Sequence, residues 1–351
     1  MTRTDGSHPE TLPASWYTDD DIYQREVNDV WARNWTVVAR EDQLVNAGNF
    51  VCDEVAGRPV FVVRAKNGEL RAFHNVCRHR AGPVLREAAG HCQRLHCSYH
   101  GWTYDFDGGL VMAPGFSKGR EFDPDDFHLF RVRVESWNGV VWVCLDDETP
   151  GLIEWLGDIA EIAKGFPPAA DMAFFDEVVI EGAANWKLYG DNGVEFYHGP
   201  FVHTALKDAV EPNGAIAAPH ENGKFVGFEV KYAQWGEHSP GPGYWILKFP
   251  CVLIHFTTFD FNLEQVTPLG PNRVRLRHWF WFPKEDAAER REACGQIVAD
   301  WRLTMGEDLD ICAEVQRNLE VGMYETGRLS PEKEPGTIFY QSLAREALGS
   351  G

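Results

Sequence analysis

Two short stretches of this chain offer metal ligands at close spacing. Cys77-Arg78-His79 is followed, after seventeen residues, by Cys97-Ser98-Tyr99-His100. Each stretch therefore supplies one thiolate and one imidazole. This mixed order suits a 2Fe-2S centre with two Cys on one iron and two His on the other, a one-electron relay of higher potential than an all-cysteine cluster. A tetrahedral zinc site can use the same four residues, although zinc knuckles of that composition put Cys with Cys and His with His. His74, His91, Cys92 and His96 lie nearby and read as packing or surface residues.

A second group follows further along the chain. Asn185 to His198 reads as a helix in which Asp191, Asn192, Glu195 and His198, spaced by three or four, share one face. Gly199-Pro200 ends that helix and lets His203 swing back toward it. Two imidazoles and one carboxylate on one side of iron(II) leave adjacent positions open for dioxygen and a substrate. Paired His beside a Gly-Pro turn also suits a structural or zinc role. Local spacing does not fix the third ligand.

Periodicity predicts the elements that carry these groups. Thr18 reads as an N-cap, with Asp19, Asp20 and Asp21 in the first turn of a helix whose Tyr23, Val27, Val30, Trp31 and Asn34 share a side. From Thr36 the period shortens. Thr36–Ala39, Asn49–Cys52, Pro59–Arg64, Glu69–His74, Thr103–Phe106, Arg131–Glu135 and Gly139–Leu145 are β-branched and aromatic runs punctuated by Gly, Asn or Asp. They predict an antiparallel all-β unit. A helical stretch over Gly151–Lys164 and then Pro167-Pro168 mark a boundary. Beyond it, strands are expected at Glu177–Glu181, Lys224–Tyr232, Cys251–Phe261 and Arg273–Phe282, and a long or broken helix over Glu285–Tyr324. Grouped strands make this second unit α+β. The expected division is an arm and helix at 1–35, a β domain at 36–150 and an α+β domain at 151–351.

Composition narrows the function. At 351 residues and 44% hydrophobic, the chain can bury two cores. A formal charge of -20 argues against nucleic acid or an anionic membrane as partner, since both recruit clustered Lys and Arg. Met1 to Glu10 lacks a secretory pattern and no stretch has the apolar length of a membrane span, so a cytoplasmic protein is expected. Eight cysteines in this length do not make a disulfide framework. Between residues 71 and 101, Arg71, Arg78, Arg80, Arg86 and Arg94 face only Glu87, a local basic region suited to an acidic electron donor. No G-x-G-x-x-G turn follows a strand, so the chain does not take electrons from a nicotinamide itself.

The runs Asn75-Val76-Cys77-Arg78-His79-Arg80-Ala81-Gly82 and Cys97-Ser98-Tyr99-His100-Gly101-Trp102-Thr103-Tyr104 resemble the Rieske domain of ring-hydroxylating and related oxygenases, in their large (alpha) subunit. Ala81 stands where many members carry Gly, and Ser98 where Pro is common. The resemblance extends to the second group. It implies an α+β fold in which the antiparallel all-β Rieske domain precedes a catalytic domain with a central antiparallel sheet flanked by helices. It further implies a cluster on Cys77, His79, Cys97 and His100, and a mononuclear Fe(II) on His198, His203 and a carboxylate of the segment Glu307-Asp308-Leu309-Asp310. Asp308 is the first choice there, ahead of Asp310 and Glu307. Glu195 stands where the family has an acidic residue bonding a cluster His on one side and an iron His on the other. Many ring-hydroxylating members have Asp there; Glu is similar to members acting on quaternary ammonium compounds. Asn192 is expected to line the same site.

Implied partners are dioxygen, a small organic substrate, and a separate NAD(P)H-dependent reductase with or without a ferredoxin, serving a homotrimer. Trp281, Phe259 and Tyr189 are candidate aromatic walls for a cationic substrate. The expected reaction is hydroxylation or N-demethylation, with attack on an arene as the alternative. An electron-transfer protein that keeps the cluster but has no working iron site is the alternative of another class.

Overall fold

A computed structural model of the chain describes residues 9–116, 122–203, 217–231 and 242–349. Residues 1–8 of the expected arm and Tyr232 of one expected strand lie outside them. Backbone packing divides the chain into two units, one from Trp31 to Trp155, the other joining the residues ahead of Trp31 to Leu156 and beyond.

The described chain opens with α1 (Ser15–Thr18) and α2 (Asp20–Asp29). Asp19, rather than the expected Thr18, caps α2: its carboxylate accepts from the amides of Asp21 and Ile22. A charged acceptor suits the positive end of a helix better than a hydroxyl does. Thr18 instead closes α1 by donating to the Ala14 carbonyl. The buried residues near this helix are Glu26, Val30 and Trp31, while Tyr23 and Val27 are only partly covered. Glu26 is inside because the Lys187 ammonium and the Trp186 indole both donate to its carboxylate.

In the first unit β1 (Thr36–Arg40), β2 (Asn49–Val55), β3 (Arg58–Arg64), β4 (Leu70–His74), β5 (Ala89–His91), β6 (Leu95–His96), β7 (Thr103–Tyr104), β8 (Leu110–Met112), β9 (Arg131–Trp137) and β10 (Val140–Cys144) lead to α3 (Leu152–Leu156). Seven of the strands form one sheet in the order β1-β10-β9-β4-β3-β2-β5, and β6-β7-β8 form a smaller one. Alternation along β3 sorts the core. Val60 and Val62 join a valine-rich layer with Val38, Val51, Val141 and Val143, while Phe61 and Val63 join Phe73, Trp102 and Tyr104 beneath Cys77 and Cys97. One strand thus feeds both faces, as period-two geometry requires. The ends of this unit are fastened together: the Trp35 indole donates to the Pro150 carbonyl at 2.9 Å and the Trp155 indole to the Asn34 side chain at 2.9 Å.

The second unit continues with α4 (Asp158–Ile162), β11 (Met172–Gly182), α5 (Trp186–Gly193), α6 (Gly199–Val202), β12 (Ala217–His220), β13 (Phe225–Val230), β14 (Gly243–Lys248), β15 (Val252–Thr257), β16 (Phe261–Gly270), β17 (Arg273–Pro283), α7 (Lys284–Glu289), α8 (Arg291–Glu320) and α9 (Pro335–Leu348). Its strands form one antiparallel sheet, β11-β17-β16-β15-β14-β13-β12. Three expectations change here. The single strand expected over Cys251–Phe261 is two, because the Thr257 hydroxyl accepts from the amides of Phe259 and Asp260 and turns the chain. The helix expected to reach His198 stops at Gly193. Gly190 and Gly193 are weak helix formers, kept because a side chain at Gly190 would overlap the Tyr340 ring and one at Gly193 would meet Leu247. The helix expected over Glu285–Tyr324 is present in its broken form, interrupted at Arg290, but it does not close the unit: α9, which was not expected, does. Among the described residues no helix is long and apolar enough to cross a membrane.

The Glu26–Lys187 pair is fully buried. Removing one partner strands the other's charge in the core, so Lys187→Met should destabilise the second unit by about 3–5 kcal/mol. In chemical denaturation, a Glu26→Leu/Lys187→Met double variant should recover most of that loss.

Candidate functional site: two ligand groups

The two cysteine loops of the first unit are built alike. The Cys77 amide donates to Gly82 at 2.8 Å and the Ala81 amide returns to Cys77 at 3.0 Å; the Cys97 amide donates to Trp102 at 2.9 Å and the Gly101 amide returns to Cys97 at 2.9 Å. Each turn needs a left-handed residue four places after its Cys. These are Ala81, at φ 56°, and Gly101, at φ 78°. Ala81 therefore carries a conformation that costs a residue with a Cβ roughly 1 kcal/mol, which explains the preference for Gly there.

Both thiols are buried. Burial pushes the Cys97 thiol up, against the lowering effect of the Tyr99 and His100 amides. The Cys77 sulfur lies 3.3 Å from the Tyr104 hydroxyl. His79 and His100 stand edge to face with centroids 4.6 Å apart, and His79 stacks on Trp102 at 5.0 Å. The His79 Nδ1 is buried without a protein partner. Two thiols, two adjacent imidazoles and an orphaned ring nitrogen fit a 2Fe-2S cluster held half by sulfur and half by nitrogen. His96 is occupied elsewhere, bonding Thr103 at 3.0 Å.

The basic region is less free than the sequence implies. Arg71 is tied to Glu69 and Asp107. Arg78 donates to the carbonyls of Asp126 and His128 and lies over Phe130. Arg80, Arg86 and Arg94 are exposed, with Arg86 donating to Ser98.

In the second unit His198, His203 and Asp308 each bring one ligand atom into a set lying within 4.8 Å. The Nε2 atoms of the two rings are 3.2 Å apart, and the Asp308 Oδ1 is 3.5 Å from His198 and 3.2 Å from His203. His198 reaches this point from the loop after α5, not from a continuous helical face. Glu195 makes that loop, accepting from the amides of Tyr197 and His198. Its other oxygen takes the His198 Nδ1. Glu307 does the same for His203 Nδ1, at 2.9 Å. Each ring is thus held by a carboxylate on its far nitrogen, which turns Nε2 toward Asp308. Asn192 donates to Asp308 at 3.0 Å, whereas Asp310 is exposed.

Burial opposes a charge on His198, but the bonds to Asp308 and Glu195 outweigh it and push its pKa up to about 9. For His203, burial is likewise outweighed by Asp308 and Glu307. Burial would raise the Asp308 carboxyl, yet the two imidazoles hold it below the usual range. Two nitrogens and a carboxylate oxygen converging this way fit one divalent iron.

A pocket adjoins these groups. Its aromatic walls are Tyr189, Phe196, Phe228, Trp245 and Trp301, and Glu264 and His255 also line it. Of the expected walls only Tyr189 is there. Trp281 packs on Phe174 and Phe261, and Phe259 on Phe282 under Arg290, so both are spent on packing within the unit. Trp301 was nonetheless findable: Trp301, Thr304, Met305 and Asp308 have the i, i+3, i+4, i+7 spacing of one helix face. Glu264 gave no such signal. Asp191 does not join the metal set; its carboxylate accepts from Tyr17 at 2.6 Å and Gln341 at 3.0 Å.

The catalytic-domain model of the ring hydroxylating alpha subunit matches residues 169–350, and that of the Rieske [2Fe-2S] domain residues 34–135. The chain belongs to the Rieske oxygenase family of ring-hydroxylating alpha subunits and is an oxygenase of that type. It is 26% identical over 344 residues to the carnitine monooxygenase oxygenase subunit of Escherichia coli (strain K12), covering 95% of this chain and 91% of that one. It is also 26% identical to the chloroplastic choline monooxygenase of Atriplex hortensis, covering 96% of this chain and 78% of that one. In fold it matches a quaternary ammonium Rieske monooxygenase structure with a TM-score of 0.88 at 23% identity, over 98% of this chain and 97% of that one.

Burial pushes Asp191 up to about 7, against the lowering effect of Tyr17 and Gln341. An unfolded Asp ionises near pH 4, so between about 4 and 7 the folded chain binds the extra proton. This group's contribution to stability therefore falls as pH rises through that window and levels off above it. Melting temperatures of Asp191→Asn should depend less on pH there than those of the unaltered chain.

Proposed function

We propose that this chain is the oxygenase component of a system that hydroxylates or N-demethylates a small organic substrate, with a quaternary ammonium compound as the substrate class. The observation that carries this is the convergence of His198, His203 and Asp308 within 4.8 Å. On this reading they hold iron(II), and Cys77, His79, Cys97 and His100 hold the cluster. Bound there, the two centres supply dioxygen activation and single electrons respectively.

The protein's own part is placement. Glu195 and Glu307 fix the two imidazoles with Nε2 facing inward, Asn192 steadies Asp308, and the aromatic walls exclude water. A carboxylate and aromatic rings suit a cation, as do the names of the carnitine and choline relatives. Electrons come from NAD(P)H through a separate reductase, with or without a ferredoxin. The working assembly is a homotrimer.

Iron analysis should find about three irons per chain, two in the cluster and one beyond it. His203→Ala should lose about one of them while keeping the cluster's absorption. With reductant and oxygen, N-methylated cations should release formaldehyde. Added oxygen on arenes, without formaldehyde from amines, would favour the arene alternative. Because Arg80, Arg86 and Arg94 remain exposed, neutralising Arg86 and Arg94 should slow cluster reduction by the reductase and flatten its salt dependence.

A further inference from the structure

Glu264 is 1% exposed, lines the pocket beside the His198, His203 and Asp308 set, and takes no part in holding it. Its Oε2 lies 3.2 Å from the His278 Nδ1, which also has the Met305 sulfur at 3.4 Å; its Oε1 has no hydrogen-bond partner, and the Tyr189 hydroxyl beside the carboxyl favours its ionised form. A buried carboxyl oxygen left this way in a pocket wall is an acceptor awaiting a ligand.

The residues behind it fix where its proton can go. The Asn262 amide nitrogen donates to Asp260 at 2.6 Å, which orients the amide. Its oxygen must then accept from both imidazoles, His255 Nδ1 at 2.6 Å and His278 Nε2 at 2.8 Å. A neutral His278 with its hydrogen on Nε2 therefore presents a bare Nδ1 to Glu264. Two lone pairs do not face each other at that distance, so one proton lies between the carboxyl and the ring. Burial keeps that proton on Glu264 in the free protein: it pushes the carboxyl up to about 8, against the lowering effect of the Tyr189 hydroxyl and with the Asp308 charge adding to the rise, and it pushes the His278 imidazole down to about 3.

We propose that Glu264 is the specificity-determining residue of this pocket: it receives the positive end of an organic ammonium substrate, its proton passing to His278 Nδ1 while the cation is bound. No other bond changes. The imidazolium so formed donates from Nδ1 to Glu264 and from Nε2 to Asn262, and the carboxylate becomes the counter-charge within the aromatic walls. A neutral guest leaves the proton where it was. The proposal rests on the ammonium-substrate reading and adds the group that enforces it.

The test is equilibrium binding of choline, and of its uncharged carbon isostere dimethylbutanol, to the iron-loaded enzyme and to Glu264→Gln. The unaltered enzyme should prefer choline by about tenfold or more. Glu264→Gln, with cluster absorption and melting temperature preserved, should lose that preference by weakening choline and not the isostere. Infrared difference spectra of the unaltered enzyme should show the carboxylic-acid carbonyl band disappearing as choline binds. A Glu264→Gln enzyme that keeps the preference, or an acid band unchanged by bound choline, overturns the role of Glu264 and leaves the ammonium reading standing. An unaltered enzyme that prefers the isostere and releases no formaldehyde from any N-methylated cation overturns both.

Discussion

Met305 and Leu309 of α8 go into the core, and their burial decides where the carboxylate between them points. Leu309 lies so close to β11 that a methyl group on Gly182 would overlap it. With that contact made, helical geometry turns Asp308 toward the loop that follows α5. Asn192, His198 and His203 all converge on this one carboxylate, and Glu307, one residue earlier on the same helix, braces His203. Turning α8 by one residue, about 100°, would put a leucine where this carboxylate stands. The site's accuracy is therefore a packing property of a helix and a glycine on a neighbouring strand.

The two cysteine loops were legible because everything that shapes them is local: Cys, turn and left-handed residue fall within six positions of each other. Seven strands of the first unit were legible for a similar reason, since β-branched runs of period two leave little choice; β5, β6 and β8, of two or three residues each, were missed because they are too short to show a period. The metal group was harder. His198 and His203 were visible as a pair, but the reading of one helical face through Glu195 failed. Gly190 and Gly193 answer to Tyr340 and Leu247, partners far away in sequence. The pocket walls were least legible. Trp245 and Glu264 sit on strands whose inward face depends on which neighbours they pair with, and a one-residue change of register would exchange the buried set for the outward one.

The two ligand groups solve the same problem by different means. The cluster loops hold their residues with backbone bonds inside each turn. The second group uses side chains: two carboxylates on two rings, an amide on a third carboxylate. In the first arrangement the residues between Cys and turn, Ala81 and Ser98 among them, shape the backbone and do not themselves orient the Cys and His side chains. The second has each orienting group tied to one partner, so its members are less exchangeable.

The fastening of Trp35 to Pro150 and of Trp155 to Asn34 bears on how the chain assembles. The second unit is discontinuous: Glu26 is synthesised long before Lys187, its buried partner 161 positions later. Closing a loop of that length in an unfolded chain carries an entropic penalty that grows with its logarithm. The intervening residues, however, include every strand of the first unit and can fold as they emerge. Once they have, their two ends are held side by side, and the loop separating α2 from its eventual neighbours shrinks to a short one. The first unit is thus also a splint, holding beside each other the two stretches of chain that enter and leave it.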